Sequence, residues 1–434
     1  MRATTEQPVG AVFEDMRLRL PHIRAGAVLC IAFVLEAWEM LALVYIGADV
    51  RRSLGIDEAS LGLLVSALFL GMIPGSLISG VLADRIGRRR TCTWSLALYG
   101  VCTAVAAFAS NYPWLLAARL LAGLMLSGVH VTVFPYFEEL LPVRVRGKAT
   151  VYLSSGWAFG LLLAVGTTSA VGGYGWRAVV FLNALVGLWA LAIRMFVPES
   201  PYWLVASGRQ AQARTVLRTL GAEVPDDVTL TVPEHRVGSV RAIFARPLRR
   251  ITVTQIVLNF ALSWGYWGLQ TGLPELLRGK GLTVSATLGF TALSALMMIP
   301  GYLSASWLTH RYGRRRVFIT YITSAAASGV LFAFAGTMPM LYVGNFLLAF
   351  FSLGAFGVWN TWLGEFYPTA VRGVGYSWGI FAQRVANTIA PTVIGLMLAR
   401  ATAFGTTVVF IDAFLLVSAL LSVQLPETRD TRLD

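Results

Sequence analysis

Apolar runs of about 20 residues recur along the whole chain, the length at which an α-helix crosses a hydrocarbon core about 30 Å thick. Approximate spans fall at 25–47, 58–82, 91–110, 114–139, 149–171, 176–197, 251–273, 284–309, 317–335, 339–365, 373–400 and 404–424. Backbone polar groups are costly in lipid unless satisfied internally, so each run is expected to close on itself as a helix. With 56% hydrophobic and 13% charged residues, the chain has too little polar sequence for one water-soluble domain of this length. The expectation is an all-α membrane protein of twelve transmembrane helices, with the lipid bilayer as solvent.

Net charge of +13 raises the question of nucleic acid, and the placement of the basic residues answers it. The termini and the even-numbered connections hold 27 of the 35 Lys and Arg residues, and the odd-numbered connections hold six. That alternation follows the positive-inside rule and predicts two cytoplasmic termini in a bacterial inner membrane. A nucleic-acid groove needs its charge on one face, whereas here it is dealt out loop by loop. Cys30, Cys92 and Cys102 lie in or beside apolar runs without ligand spacing, so neither a disulfide framework nor a metal site is expected. Glu14 and Asp15 precede the basic group before the first span, which reads as a retained helix rather than a cleaved signal.

A fixed offset of 226 relates the two halves. Pro74 and Gly75 map onto Pro300 and Gly301, and Gly87 with Arg88 to Arg90 onto Gly313 with Arg314 to Arg316. Glu139, Pro142, Arg146 and Gly147 map onto Glu365, Pro368, Arg372 and Gly373, and Trp38 onto Trp264. Two six-helix pseudo-repeats, 25–197 and 251–424, are expected to flank a binding site at the membrane midplane. A segment 1–24, a linker 198–250 and a tail 425–434 lie on the cytoplasmic side, and Gln210 to Leu220 is expected to form a short surface helix.

These motifs carry a resemblance. GVLADRIGRRR at 80–90, with a weaker copy at 306–316, resembles the loop signature of the major facilitator superfamily. LLAARLLAGLMLSG at 115–128 is similar to its fourth-helix arginine motif. PESPYWL at 198–204 and PET at 426–428 resemble the half-terminal motifs of its sugar-porter and organic-ion branches. YWGLQTGLPELLRGKG at 266–281, IPGYLSASWLTHRYGRR from 299, EFYPTAVRG at 365–373 and AQRVANTIAP at 382–391 look most like bacterial nicotinate and aromatic-acid proton symporters. EAWEM at 36–40 departs from the aspartate-rich first-span motif of aromatic-acid carriers, and Tyr202 stands where sugar porters carry Arg.

Ionisable residues inside a membrane are expensive and rare, so each is a functional candidate. Glu36 and Glu39 lie about 60° apart on a helix and Arg119 and His130 about 20° apart, so each pair can face one cavity. The two carboxylates and His130 are candidates for carrying a proton, and the resemblance implies a coupling role for Arg119. Paired with an arginine from another helix, the glutamates would instead be structural. Arg384, beside Gln383 and one turn before Asn387, presents a planar fork suited to a carboxylate. Its alternative is neutralisation by Glu36 or Glu39 across the halves. Asn259, Ser263, Tyr266 and Gln270 form a polar stripe within about 60° of span 7. Trp264, Trp267, Trp359 and Trp362 offer stacking surfaces or packing.

The resemblance also assigns Asp84, Arg88, Glu139, Arg146, Arg314, Glu365 and Arg372 to a cytoplasmic ion network that closes an inner gate. The substrate contacts expected are Arg384, Asn387, Gln383, Asn259, Tyr266, Gln270 and Trp359. The expected activity is proton-coupled uptake of a small organic anion, an aromatic or heteroaromatic carboxylate, by alternating access in a functional monomer without cofactor. An exporter, or a carrier of a sugar acid or organic cation, is the alternative. The sequence carries neither the catalytic constellation of a membrane enzyme nor the soluble signalling domain of a receptor.

Overall fold

The computed structural model describes residues 6–14, 16–225, 228–232, 240–367, 371–400 and 402–428, and within helices all side chains except those of Gly147, Lys148, His310, Gly364, Arg372 and Gly373. Twelve long helical segments follow the expected spans. In the first half they are α1 (Leu20–Leu54), α2 (Glu58–Ile86), α3 (Arg88–Ala107), α4 (Tyr112–Glu139), α5 (Val143–Val171) and α6 (Trp176–Phe196). In the second half they are α7 (Arg246–Gly279), α8 (Val284–Tyr312), α9 (Arg314–Ala333), α10 (Met338–Glu365), α11 (Arg372–Ala399) and α12 (Phe404–Ser422). α6 tightens into a 3-10 turn at Leu185–Leu188, and α7 begins at Arg246, inside the stretch expected to be linker.

The repeat is visible in the backbone itself. α2, α3 and α4 begin and end 226 residues before α8, α9 and α10. The caps repeat too: Asp57 accepts from the Ser60 amide as Thr283 does from that of Ala286, and Asn111 caps α4 as Thr337 caps α10. Each such cap satisfies an otherwise orphaned amide at a helix start. Between α2 and α3, and again between α8 and α9, one glycine makes the turn at φ 101° (Gly87) and 89° (Gly313), backbone that a side chain would strain.

Close helix packing repeats as well. A Cβ on Gly75 would lie 2.4 Å from the Leu124 carbonyl oxygen, and one on Gly301 would lie 2.2 Å from that of Phe350. Leu124 and Phe350 are themselves 226 apart. In lipid, where hydrocarbon tails are as apolar as leucine, such backbone contact is a main source of helix association.

Among the described residues nine helices are apolar enough over their length to cross a membrane; α3, α7 and α11 fall short. α7 and α11 carry Asn259, Ser263, Gln270, Gln383, Arg384 and Asn387, so their polarity marks the faces turned to the molecule's centre. The halves meet where α2 packs along α11 and α5 along α8. The α2–α11 seam is tight at the end of the molecule opposite the arginine-rich turns. There Gly62 lies against the Pro391 carbonyl, Gly395 against that of Glu58, and Ser66 and Thr392 hydroxyls are hydrogen-bonded at 2.8 Å.

The linker forms the expected helix Gln210–Leu220. It also supplies Thr229–Thr231, which pairs in parallel with Glu6–Pro8 of the N-terminal segment. These two three-residue strands sit outside the bundle, where an extended polar segment finds its hydrogen bonds in another segment, and leave the membrane bundle all-α.

Candidate functional site

The first half supplies the charged groups at the centre. Three residues apart on α1, Glu36 and Glu39 are fully buried, at 0% and 1% exposure, and each meets a different partner on α4. Glu36 Oε1 lies 2.6 Å from His130 Nδ1. Glu39 accepts a hydrogen bond from the Tyr99 hydroxyl of α3, and Arg119 is its electrostatic neighbour. The stripe joining Arg119 and His130 thus faces the two glutamates, His130 hydrogen-bonded to Glu36 and Arg119 acting electrostatically on Glu39. The pairing is incomplete: Glu36 Oε2, Glu39 Oε1 and Arg119 Nε and Nη2 have no hydrogen-bond partner among the described residues. Buried ionisable groups left partly unsatisfied are costly, which makes this cluster a candidate functional site.

The second half answers with Arg384, 5% exposed on α11, whose electrostatic partner is Glu36 across the seam. Of the two glutamates weighed as its neutraliser, Glu36 is the one whose charge acts on it, with the Tyr376 hydroxyl second; the hydrogen bond of Glu36 is to His130.

The polar stripe of α7 divides in two. Asn259 is saturated: its amide donates to the carbonyl and side chain of Gln255, and its oxygen accepts from Trp359 Nε1 at 2.9 Å and Gln383 Nε2 at 2.6 Å. Asn259 and Trp359 are both 0% exposed, so in this conformation they buttress α11 from within the second half and turn no free polar atom toward a ligand. Asn387 is bonded to Ser263 at 2.6 Å, with Trp267 Nε1 3.2 Å from its amide.

One turn further along, Tyr266 lies at the seam. Its hydroxyl accepts from Gln270 Nε2 at 3.0 Å and from Trp157 Nε1 of α5 at 2.5 Å, the latter a bond between halves. Phe69 of α2 stands edge-on to Trp267 at 4.6 Å, and Trp157 edge-on to Trp267 at 5.7 Å. The centre is therefore an aromatic box spanning both halves, beside a buried guanidinium. Of the four tryptophans read from sequence, Trp267 lines it. Trp264 stacks on Phe414 at 4.7 Å, and Trp362 donates to the Pro426 carbonyl at 3.1 Å.

Sequence reasoning missed Tyr99 and Trp157. Tyr99 is 60 residues from Glu39 with no periodic link to it. Trp157 carried a weak signal: it lies between Gly156 and Gly160, and a Cβ on Gly160 would be 2.6 Å from the Val34 carbonyl oxygen, which presses α5 onto α1.

At the arginine-rich rim, Arg88 meets Asp84 at 3.0 Å and Glu139 at 3.3 Å, and Arg314 meets Glu365 at 3.1 Å. All three pairs lie within one half. The proline-acid motifs join them: Glu199 accepts from the Arg89 amide, and Glu427 from those of Arg314 and Arg315, a carboxylate at each helix N-terminus. Tyr136 holds the Pro198 carbonyl as Trp362 holds that of Pro426. In this conformation the network braces each half against its own terminal motif. Arg146 donates to the Leu141 carbonyl and the Tyr202 hydroxyl and lies over the rings of Phe13 and Tyr202. The side chain of Arg372 falls outside those described.

Comparison with known proteins places this geometry. Residues 37–434 match the family described as sugar (and other) transporter. The chain is 30% identical to the niacin transporter NiaP of Acinetobacter baylyi over 95% of its own length and 96% of that protein's. It is 28% identical to the 4-hydroxybenzoate transporter PcaK of Pseudomonas aeruginosa, over 85% of each. Its fold superposes on the partially occluded inward-open xylose transporter XylE from E. coli with a TM-score of 0.78, at 17% identity, over 95% of this chain and 99% of that one. The twelve-helix expectation is borne out, and the chain is a multi-pass membrane transporter that belongs to the sugar (and other) transporter family of the major facilitator superfamily.

Proposed function

We propose that this transporter takes up an aromatic or heteroaromatic monocarboxylate together with protons, by alternating access, as a monomer in the inner membrane with both termini in the cytoplasm. The observation that carries the reading is the buried Glu36 carboxylate, 2.6 Å from His130 and acting electrostatically on Arg384 of the other half. A substrate carboxylate and Glu36 compete for one guanidinium. Protonating Glu36 frees Arg384 for the substrate, so anion and proton bind with positive linkage. Glu39 with Arg119 and Tyr99 is a second carboxyl in the same half able to exchange a proton.

Trp157, Tyr266, Trp267 and Phe69 supply faces and edges for an aromatic ring, with Gln270 and Asn387 beside them to read its polar substituents. The names of the relatives, a niacin and a 4-hydroxybenzoate transporter, support that substrate class. Rocking of the halves about the centre opens the α2–α11 seam and breaks the Trp157–Tyr266 bond, so that bond reports the halves closed about the centre. Outward closure in this conformation follows if the arginine-rich rim is cytoplasmic.

Thermal unfolding of the purified chain with nicotinate, 4-hydroxybenzoate and xylose tests the reading. The acids are expected to raise the midpoint in the wild type and not in Arg384→Ala. Stabilisation by xylose alone would overturn the substrate class.

A further inference from the structure

Asp412 lies near the middle of α12, is 4% exposed, and has no hydrogen-bond partner on either carboxylate oxygen among the described residues. It lines a cavity inside the second half whose walls include Tyr266, Gln270, Ser294, Asn345 and Ser352. Room for the carboxyl is built into α9: a Cβ on Gly329 would lie 2.1 Å from Asp412 Oδ1.

Charges that could hold Asp412 ionised are absent from the described residues around that cavity. Tyr266 is the one other ionisable group in its wall. On the helices packed against α12, Tyr321 of α9 gives its hydroxyl to Ser304, Arg314 pairs with Glu365, and Arg315 donates to the Val423 carbonyl. Glu275 and Arg278 of α7 pair with each other at that helix's far end. Lys280 lies over Phe404, about two turns from Asp412 along α12. An isolated carboxylate at such a site takes up a counter-ion, and the smallest is the proton.

The repeat gives the cavity a second meaning. At the offset of 226, Asn345 occupies the place of Arg119 and Gly265, also in the wall, the place of Glu39. This is the second half's counterpart of the Glu39–Arg119 site, with the carboxyl supplied from α12 instead of α7. It shares Gln270 and Tyr266 with the centre, and Tyr266 is bonded to Trp157 of the other half.

We propose that Asp412 is a further proton-binding site, carried by the C-terminal half and linked to the inter-half centre through Gln270 and Tyr266. This deepens the proton-coupled reading and rests on it for its physiological use. The binding event itself is separable: a neutral carboxylic acid forms from carboxylate and proton, with no other bond changed.

Infrared difference spectroscopy of the detergent-solubilised full chain, between alkaline and acidic buffer and without any transported compound, reads that event. The expected result is a buried carboxylic-acid C=O band that appears on acidification, is lost in Asp412→Asn, is displaced in Asp412→Glu, and survives in the Glu36→Gln/Glu39→Gln double variant. Asp412→Glu keeps the acid, so it reports on the site even if the amide variant fails to fold. A difference spectrum unchanged in both Asp412 variants overturns the proposal. So does abolition of the wild-type band by sodium replacing choline at constant pH, which would make the site one for a metal cation. Failure here leaves the transport reading standing, and failure of transport leaves this band unaffected.

Discussion

The two halves share helix ends, caps, turn glycines and a close contact at Gly75 and Gly301, yet they differ where they face each other. In the first half the centre is ionic: Glu36 with His130 and Glu39 with Arg119 and Tyr99. At the same places the second half has Leu262, Phe356, Gly265, Asn345 and Ala325, and its centre is a saturated amide network around Asn259 with Arg384 beside it. Packing constraints are therefore common to both halves, whereas the proposed function assigns proton chemistry mainly to the first and substrate positioning to the second. Uniform charge in both would oblige every state to desolvate two ionic clusters, and an amide network lets α7 and α11 keep their geometry at lower desolvation cost.

The largest effect that tests this division is expected at Arg384. Arg384→Lys keeps the cation and loses the planar fork, so affinity for nicotinate should fall about 10- to 100-fold, or ~1.5–3 kcal/mol. Isothermal titration checks it, and an unchanged affinity would remove positioning of the carboxylate from the second half.

Gly75→Ala and Gly301→Ala test what the halves share. A methyl group at either place must push against a carbonyl oxygen, which typically costs about 1–3 kcal/mol. Both variants should lower the thermal midpoint in detergent by similar amounts. A loss confined to one half would break the equivalence of the scaffold.

Smaller, unequal effects are expected at the rim. After Glu139→Gln, Arg88 retains Asp84 at 3.0 Å, whereas the place of Asp84 in the second half is taken by His310. Glu365→Gln should therefore slow transport more than Glu139→Gln, through roughly 1 kcal/mol of state bias against about half that, with nicotinate binding retained in both. Lost binding in a folded variant would move these residues into the site.

The smallest effect lies at the caps. Hydrogen bonds from Ser60, side chain first and backbone second, hold Asp57 below the usual carboxylate range. Its cap is thus present above the unfolded value and weakens as pH falls through the folded one. Thr283 at the equivalent place does not titrate. The hydrogen-exchange protection factor, corrected for the intrinsic pH dependence of amide exchange, should fall at the start of α2 in acid and stay constant at the start of α8; an equal fall at both would assign the change to another group.

Much of this division was legible in the sequence, for physical reasons that differ by residue. The offset of 226 exposed the helix pairs because turn glycines, caps and rim charges each need one residue type at one place. The spacing of Glu36 with Glu39 and of Arg119 with His130 gave their shared faces, since helical periodicity survives any packing. Which glutamate meets which partner depends on helix rotation and was not legible. Asn259 and Trp359 looked like open polar and aromatic surface and are instead bonded to each other, because burial of a polar group is decided by its neighbours on α10 and α11. Tyr99, Trp157 and Asp412 come from helices with no periodic tie to the centre. The rim charges were legible as pairs, but the side of the seam on which each pair closes was not.

Proton coupling through the first half is tested most directly in proteoliposomes loaded with nicotinate. With Glu36→Gln, Glu39→Gln and the double variant, the expectation is that bound nicotinate still exchanges across the membrane in at least one single variant while accumulation driven by a pH gradient is lost. Gradient-driven accumulation that survives in both single variants and in the double variant would contradict it, and would shift coupling to His130 or to a carrier that moves no proton.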